Sequence, residues 1–86
     1  MNGWLFAMTP AFDRDSACRH LELANKHVAG GQRRVDAQLQ LVIRLERDGH
    51  DTFQARWLLE QFEQILALQI ENRDRIVQEL SESESK

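Results

Sequence analysis

The sequence of 86 residues contains one cysteine, no long apolar run and only a small excess of charge. Cys18 alone cannot form an intramolecular disulfide, which predicts a reducing, cytoplasmic setting. No run approaches the roughly 18 apolar residues that span a bilayer, and the apolar N-terminus lacks the basic residues that begin a signal peptide. We therefore expect no membrane association.

The charge balance argues against nucleic acid as the main partner. The formal net charge is -3, whereas proteins that bind phosphates electrostatically carry an excess of positive charge. The first half of the chain is nevertheless the more basic one, and it contains Arg33 and Arg34. Weak nucleic-acid binding through this basic first helix stays an alternative hypothesis.

The motifs of common enzymes are missing. There is no glycine-rich phosphate loop, no serine elbow and no pattern of paired catalytic carboxylates. Asp48, His50 and Asp51 are close in sequence, but a tight turn directs consecutive side chains apart, and zinc needs three or four converging ligands. His20 and His27 are too far apart for the usual helical pair of ligands. We predict no enzymatic activity, no cofactor and no metal.

Apolar and small residues recur at helical spacing in two long segments. The first stripe runs from Leu21 to Leu45 and the second from Ala55 to Leu80. Neither alternates as a strand does, and good helix formers fill the positions between. The pattern predicts an all-α fold, an antiparallel two-helix hairpin that pairs with a second copy into a four-helix bundle with coiled-coil packing.

Helix-start signals and composition divide the chain into three parts. Thr9, which precedes the only proline, and Ser16 are alternative N-caps of the first helix. The sequence predicts an N-terminal apolar segment or helix extension over residues 1–15 and a helical hairpin over residues 16–80. Residues 81–86 include no apolar side chain, and we expect a disordered acidic tail.

The charged stretch between the two stripes is interpreted as a bend at residues 48–51. Gly49 follows Asp48 just beyond the first stripe, where a helix end often needs a left-handed backbone. Asp51 is placed to cap the second helix, with Gln54 reaching back as in a capping box. With so short a connection, residues whose numbers sum to about 99 should lie at the same level.

Both stripes are interrupted at the same height. Gly30 and Gly31 interrupt the first stripe, and Gln69 and Arg73 interrupt the second, so that the register sets Gly31 opposite Gln69. We interpret these four residues as a polar break. Because an arginine between helices needs a partner, the break could hold an anion, which would make the protein a small-ligand or metal-binding bundle. Extension of Arg73 into water is the simpler explanation.

Apolar residues beside the stripes exceed what two helices can bury. They are Leu39, Ile43, Phe53, Trp57 and Leu68. Either the apolar N-terminal segment folds back over them or a second copy covers them. We favour the homodimer, because an isolated pair of helices has little core. The expected function is a non-enzymatic protein-interaction or regulatory module, with a further protein partner that the sequence does not identify.

The stretch HVAGGQRRV, followed by LERDGHDTFQARWLLEQFEQILALQIENRDRI, resembles a group of short bacterial proteins. These have a basic first helix, an L-x-x-D-G-H-D-T bend and a second helix with the pattern L-L-x-x-F-E-x-x-L. The resemblance covers residues 20–80 and implies a helical hairpin. It implies no activity, cofactor or catalytic residue, since none is established for the group.

Overall fold

The computed structural model describes residues 13–84, which form two helices joined by a short turn. Helix α1 spans Arg14–Arg47 and helix α2 spans Phe53–Glu84, and the two pack against each other. Within residues 13–84 there is no strand, and neither helix is long and apolar enough to cross a membrane. The predicted all-α hairpin is confirmed for this part of the chain. Most of the predicted N-terminal segment, including Thr9, lies outside the described residues.

Helix α1 begins after Asp13, between the two predicted starts. The Asp13 carboxylate accepts hydrogen bonds from the backbone N–H of Asp15 (3.1 Å) and from the Ser16 hydroxyl (2.8 Å). Ser16 therefore supports the cap from within the first turn and is not the cap itself. The Ser16 hydrogen bonds hold the pKa of Asp13 below its ordinary value of 3.8. The cap consequently stabilises the helix above that pH, and the contribution is lost as the pH falls through the lowered pKa.

Small residues at every seventh position bring the two helices close together. Ala17, Ala24 and Gly31 are buried on α1, and Leu66 and Leu80 are buried on α2. Short side chains on one helix leave room for larger ones on the other, which sets a short distance between the backbones. No large side chain among the described residues is fully buried, so the core between the helices is thin.

Contacts at three heights fix the register of the hairpin. Arg14 forms an ion pair with Glu84 at the open end, and the side chain of Gln69 lies against Gly31 in the middle. Near the bend, Glu46 forms an ion pair with Arg56 of α2. The residue numbers of each pair sum to about 100, as a bend near residue 50 requires.

One buried polar side chain adds a hydrogen bond between the helices. Gln38 is 9% exposed, and its Nε2 donates to the carbonyl oxygen of Ala55 (3.0 Å). The amide therefore keeps a partner although it lies among apolar residues. This bond joins α1 to the first turn of α2, close to the bend.

The bend is built around Gly49, whose φ of 75° lies in the left-handed region. The N–H of Gly49 donates to the carbonyl of Glu46 (3.1 Å), and the N–H of His50 donates to that of Leu45 (2.8 Å). These two bonds make a Schellman motif, which satisfies carbonyls at the end of α1. Asp51 then accepts a hydrogen bond from the N–H of Phe53 (3.0 Å) at the start of α2.

The structure corrects the predicted role of Gln54. Within residues 13–84, its side chain makes no hydrogen bond to Asp51, so the expected capping box is not formed. The reason is the helix start: α2 begins at Phe53, which makes Gln54 its second residue, whereas a capping box needs the glutamine at the third. Gln54 instead lines a cleft on the surface.

The structure also corrects the predicted start of the disordered tail. Helix α2 continues beyond Leu80 through Glu84. The Ser83 hydroxyl donates to the carbonyl of Leu80 (2.8 Å), and Glu84 pairs with Arg14 on the other helix. One bond within α2 and one ion pair across the hairpin therefore support this last turn, although the segment has no apolar side chain to pack. Ser85 and Lys86 lie outside the described residues.

We expect Gly49→Ala to lower the free energy of unfolding by about 1–2 kcal/mol, because a Cβ is strained in the left-handed region. Gly30→Ala is the matched control. Only the Arg33 guanidinium lies near its added Cβ (3.9 Å), and alanine favours the helix, so we expect higher stability. Urea denaturation followed by circular dichroism measures both changes. Equal effects at the two glycines would contradict the prediction.

Candidate interaction surface

Large apolar side chains are more often exposed than buried in this hairpin. Trp57 is 56% exposed and Leu68 is 66% exposed, although both are among the most hydrophobic residues of the chain. The exposed set is Leu23, Leu39, Ile43, Phe53, Trp57, Leu58, Ile65, Leu68 and Val77. Adjacent exposed apolar side chains of this kind are typical of a surface that binds another protein.

One broad side of the hairpin, which we call the cleft face, has two rows of residues at a spacing of seven. The rows are His20, His27, Arg34 and Leu41 on α1, and Leu58, Ile65, Asn72 and Glu79 on α2. At the open end they border a cleft of about 420 Å³, lined by both histidines, Asn72 and Glu79. Toward the bend the rows become apolar, with Leu41, Leu58 and Ile65, so the cleft face has a polar half and an apolar half.

The opposite side, which we call the acidic face, contains the Glu46–Arg56 ion pair. Helical spacing places seven exposed side chains on it: Glu22, Asp36, Glu46, Arg56, Glu60, Glu63 and Asp74. Leu39 lies seven residues before Glu46, and Ile43 lies three before it, so both belong to the acidic face. The five residues of the predicted interface therefore do not form one surface, because Leu68 lies on the cleft face.

The two predicted aromatic residues of the interface do lie together. Phe53 and Trp57 are one helical turn apart and border a cleft of about 510 Å³, with Gln54 and Leu58 beside them. Phe53 is 75% exposed. This aromatic cleft adjoins the apolar half of the cleft face through Leu58.

From its first turn to its middle, α2 has no charged side chain on the cleft face or on the outer edge of that face. The residues there are Gln54, Trp57, Leu58, Gln61, Gln64, Ile65 and Leu68. The charged residues of the same stretch, Arg56, Glu60 and Glu63, all lie on the acidic face. A neutral strip of this kind can be buried against another helix without removing a charge from water.

Along the outer side of α1 runs a basic row, which consists of Arg19, Lys26, Arg33 and Arg47 at intervals that are multiples of seven. Within residues 13–84, the side chains of four cations of α1 make neither an ion pair nor a hydrogen bond; these are Lys26, Arg33, Arg34 and Arg44. Sequence reasoning found the basic half of the chain but missed the row, and the spacing of seven was the signal.

The structure brings together only two of the four residues in the predicted polar break. A Cβ on Gly31 would contact the amide of Gln69, whose Oε1 is buried without a hydrogen-bond partner within residues 13–84. Gly30 instead faces outward toward Arg33. Arg73 bonds to Asp74, its neighbour on α2, at 3.1 Å, with a third of its side chain exposed. Arg73 therefore does not lie between the helices with a free guanidinium.

The titratable side chains of the described residues do not converge. The Asp48 Oδ1 atom lies 3.6 Å from Nε of Arg47, its neighbour in the chain. Cys18 is exposed. Among residues 13–84 there is no group of three or more His, Cys, Asp or Glu that could hold a metal ion.

The chain matches no family model, no curated protein and no solved structure.

Proposed function

We propose that this protein is a non-enzymatic helical interaction module that self-associates, so that two hairpins form a four-helix bundle. The observation that supports it is the neutral strip of α2, where Leu58, Ile65 and Leu68 lie exposed beside Trp57. Burying such side chains in a second hairpin would enlarge a core that is thin in one copy. Four-helix bundles form their cores in this way.

The aromatic cleft lies far along the hairpin from the start of α1. Trp57 lies at the level of residue 43, which is about 45 Å along the hairpin from Asp13 at 1.5 Å per residue. Residues 1–12, fully extended, span at most about 43 Å, before any distance across the helices is added. Residues 1–12 would therefore reach Leu68 more easily than Trp57 and Phe53, which favours a second copy over these residues as the cover of the aromatic cleft.

The test is the mass of the full chain in solution at tens of micromolar, by light scattering or sedimentation equilibrium. We expect twice the monomer mass of 10.0 kDa. A chain that stays monomeric at this concentration would refute self-association. Fluorescence of Trp57, isolated by Trp4→Phe, should shift to shorter wavelength as the concentration rises through the dissociation constant.

Two isoleucines provide a matched pair of variants to locate the interface. Ile65 on the cleft face is 44% exposed and Ile43 on the acidic face is 46% exposed. We expect Ile65→Lys to yield monomers, because it places a charge in the neutral strip, and Ile43→Lys to leave the dimer intact. The reverse result would assign the interface to the acidic face.

A second candidate function is binding of nucleic acid, and the basic row of α1 is the observation that favours it. Free cations on a rigid helix can contact phosphates, and such binding falls steeply with salt. Arg33→Gln should then weaken retention on heparin at low salt. Arg56→Gln is the control, because Arg56 pairs with Glu46 on the acidic face. Absence of retention at low salt would remove this candidate.

A further inference from the structure

We propose that the two hairpins lie with their bends at the same end, so that α1 of each copy packs on α2 of the other. This inference rests on the proposed self-association through the cleft face. It goes further by specifying which helix is the partner of which, and therefore where the two-fold axis lies. In the proposed dimer the axis runs parallel to the helices.

Two arrangements can join the cleft faces by a two-fold axis. If the axis is parallel to the helices, α1 faces α2 of the second copy, and residues at the same height meet. If the axis is perpendicular to the helices, α1 faces α1 and α2 faces α2, with the bends at opposite ends. Both arrangements can bury Leu58, Ile65 and Leu68, so the apolar side chains alone do not decide between them.

The charges of α1 decide against the arrangement with opposite bends. To bring the neutral strips of α2 together, that dimer must be centred near Gln61. Arg34 of each copy then stands opposite Arg44 of the other, because the centre lies at the height of residue 39. Neither arginine has an ion-pair partner within residues 13–84 that could offset the repulsion. The two-fold symmetry repeats the unfavourable contact.

The arrangement with both bends at one end removes this conflict. Arg44 then faces the neutral strip at the height of Trp57, where a guanidinium can lie over the indole ring. Arg34 meets the strip near Ile65, where its aliphatic stem can pack. At the open end, His20 of one copy lies at the height of Glu79 of the other. At each of these three heights, a basic side chain or a histidine of α1 thus meets a neutral or acidic part of α2.

The native cysteine permits a direct measurement. Cys18 is exposed and lies near the open end, so a spin label attached to it reports the distance between the open ends of the dimer. With the bends at the same end, we expect a label-to-label distance below about 40 Å, because interhelical distances are roughly 10 Å and the two labels project outward from the acidic faces. With opposite bends centred near Gln61, the two labels would lie about 60 Å apart.

A second label position tests the other end of the bundle. In the variant Cys18→Ser/His50→Cys, the label lies in the bend, and a distance below about 30 Å is expected. Short distances at both positions support the proposal, whereas a Cys18 distance of about 60 Å in a chain of dimeric mass overturns it alone. A monomeric mass with no dipolar coupling overturns the proposed self-association as well.

Discussion

Replacing Leu66 with alanine is expected to lower the free energy of unfolding by about 2–5 kcal/mol, the usual cost of truncating a buried leucine. Leu66 is 9% exposed, and the core contains few residues of its size. Its Cδ1 would lie 3.2 Å from a Cβ on Gly31, so it fills the space that the glycine leaves. Chemical denaturation followed by far-UV circular dichroism measures the loss, which should not depend on protein concentration.

Leu68 is the matched control, because it is the same residue type two positions along α2. It is 66% exposed and lies on the cleft face. Leu68→Ala should leave the stability of the dilute chain nearly unchanged and weaken association at higher concentration. If the two variants lost the same stability at every concentration, the division between a core side and an interaction side of α2 would be wrong.

The hairpin is predictable from the sequence because its signals are local or periodic. The regular spacing of Ala17, Ala24 and Gly31 indicates a helix face by itself. The glycine after Asp48 supplies the left-handed residue at the end of α1. Such features depend on residues within a few turns of each other, which a single sequence displays directly.

The boundaries at the open end depend on contacts between distant residues, and the prediction failed there. Asp13 competes with Thr9 and Ser16 as a cap, and all three have suitable side chains. Glu84 is held in a helix partly by Arg14, which is 70 residues away. Sequence patterns near Glu84 show only a polar tail, because the stabilising partner lies on the other helix.

The candidate surface was predictable in composition but not in its division into two faces. Counting apolar residues identifies Leu39, Ile43 and Leu68 as surplus to the core. The face on which each of them lies depends on its angular position around the helix. That position is fixed by the Glu46–Arg56 ion pair on one side and by the cleft lined by the two histidines on the other. The basic row of α1 is predictable from the sequence alone, since its residues recur at multiples of seven.

Gly31→Leu is expected to lower the free energy of unfolding by about 1–3 kcal/mol, although leucine favours helix more than glycine does. Any side chain at this position enters the space occupied by the amide of Gln69 and by Leu66. The amide carbon Cδ of Gln69 would lie only 3.4 Å from the new Cβ. Chemical denaturation measures the loss, and Gly30→Leu, one residue away and facing outward, should not show it.

A double-mutant cycle separates the contact with Gln69 from the general cost of a larger side chain. Gln69→Ala removes the amide whose Oε1 is buried without a partner among residues 13–84, and it opens space opposite residue 31. The double variant Gly31→Leu/Gln69→Ala should therefore recover much of the stability lost in Gly31→Leu alone, with a coupling energy of about 0.5–3 kcal/mol. Additive effects would mean that Gln69 moves aside freely. The glycine would then be required by Leu66 and the close approach of the helices, and not by the polar side chain opposite it.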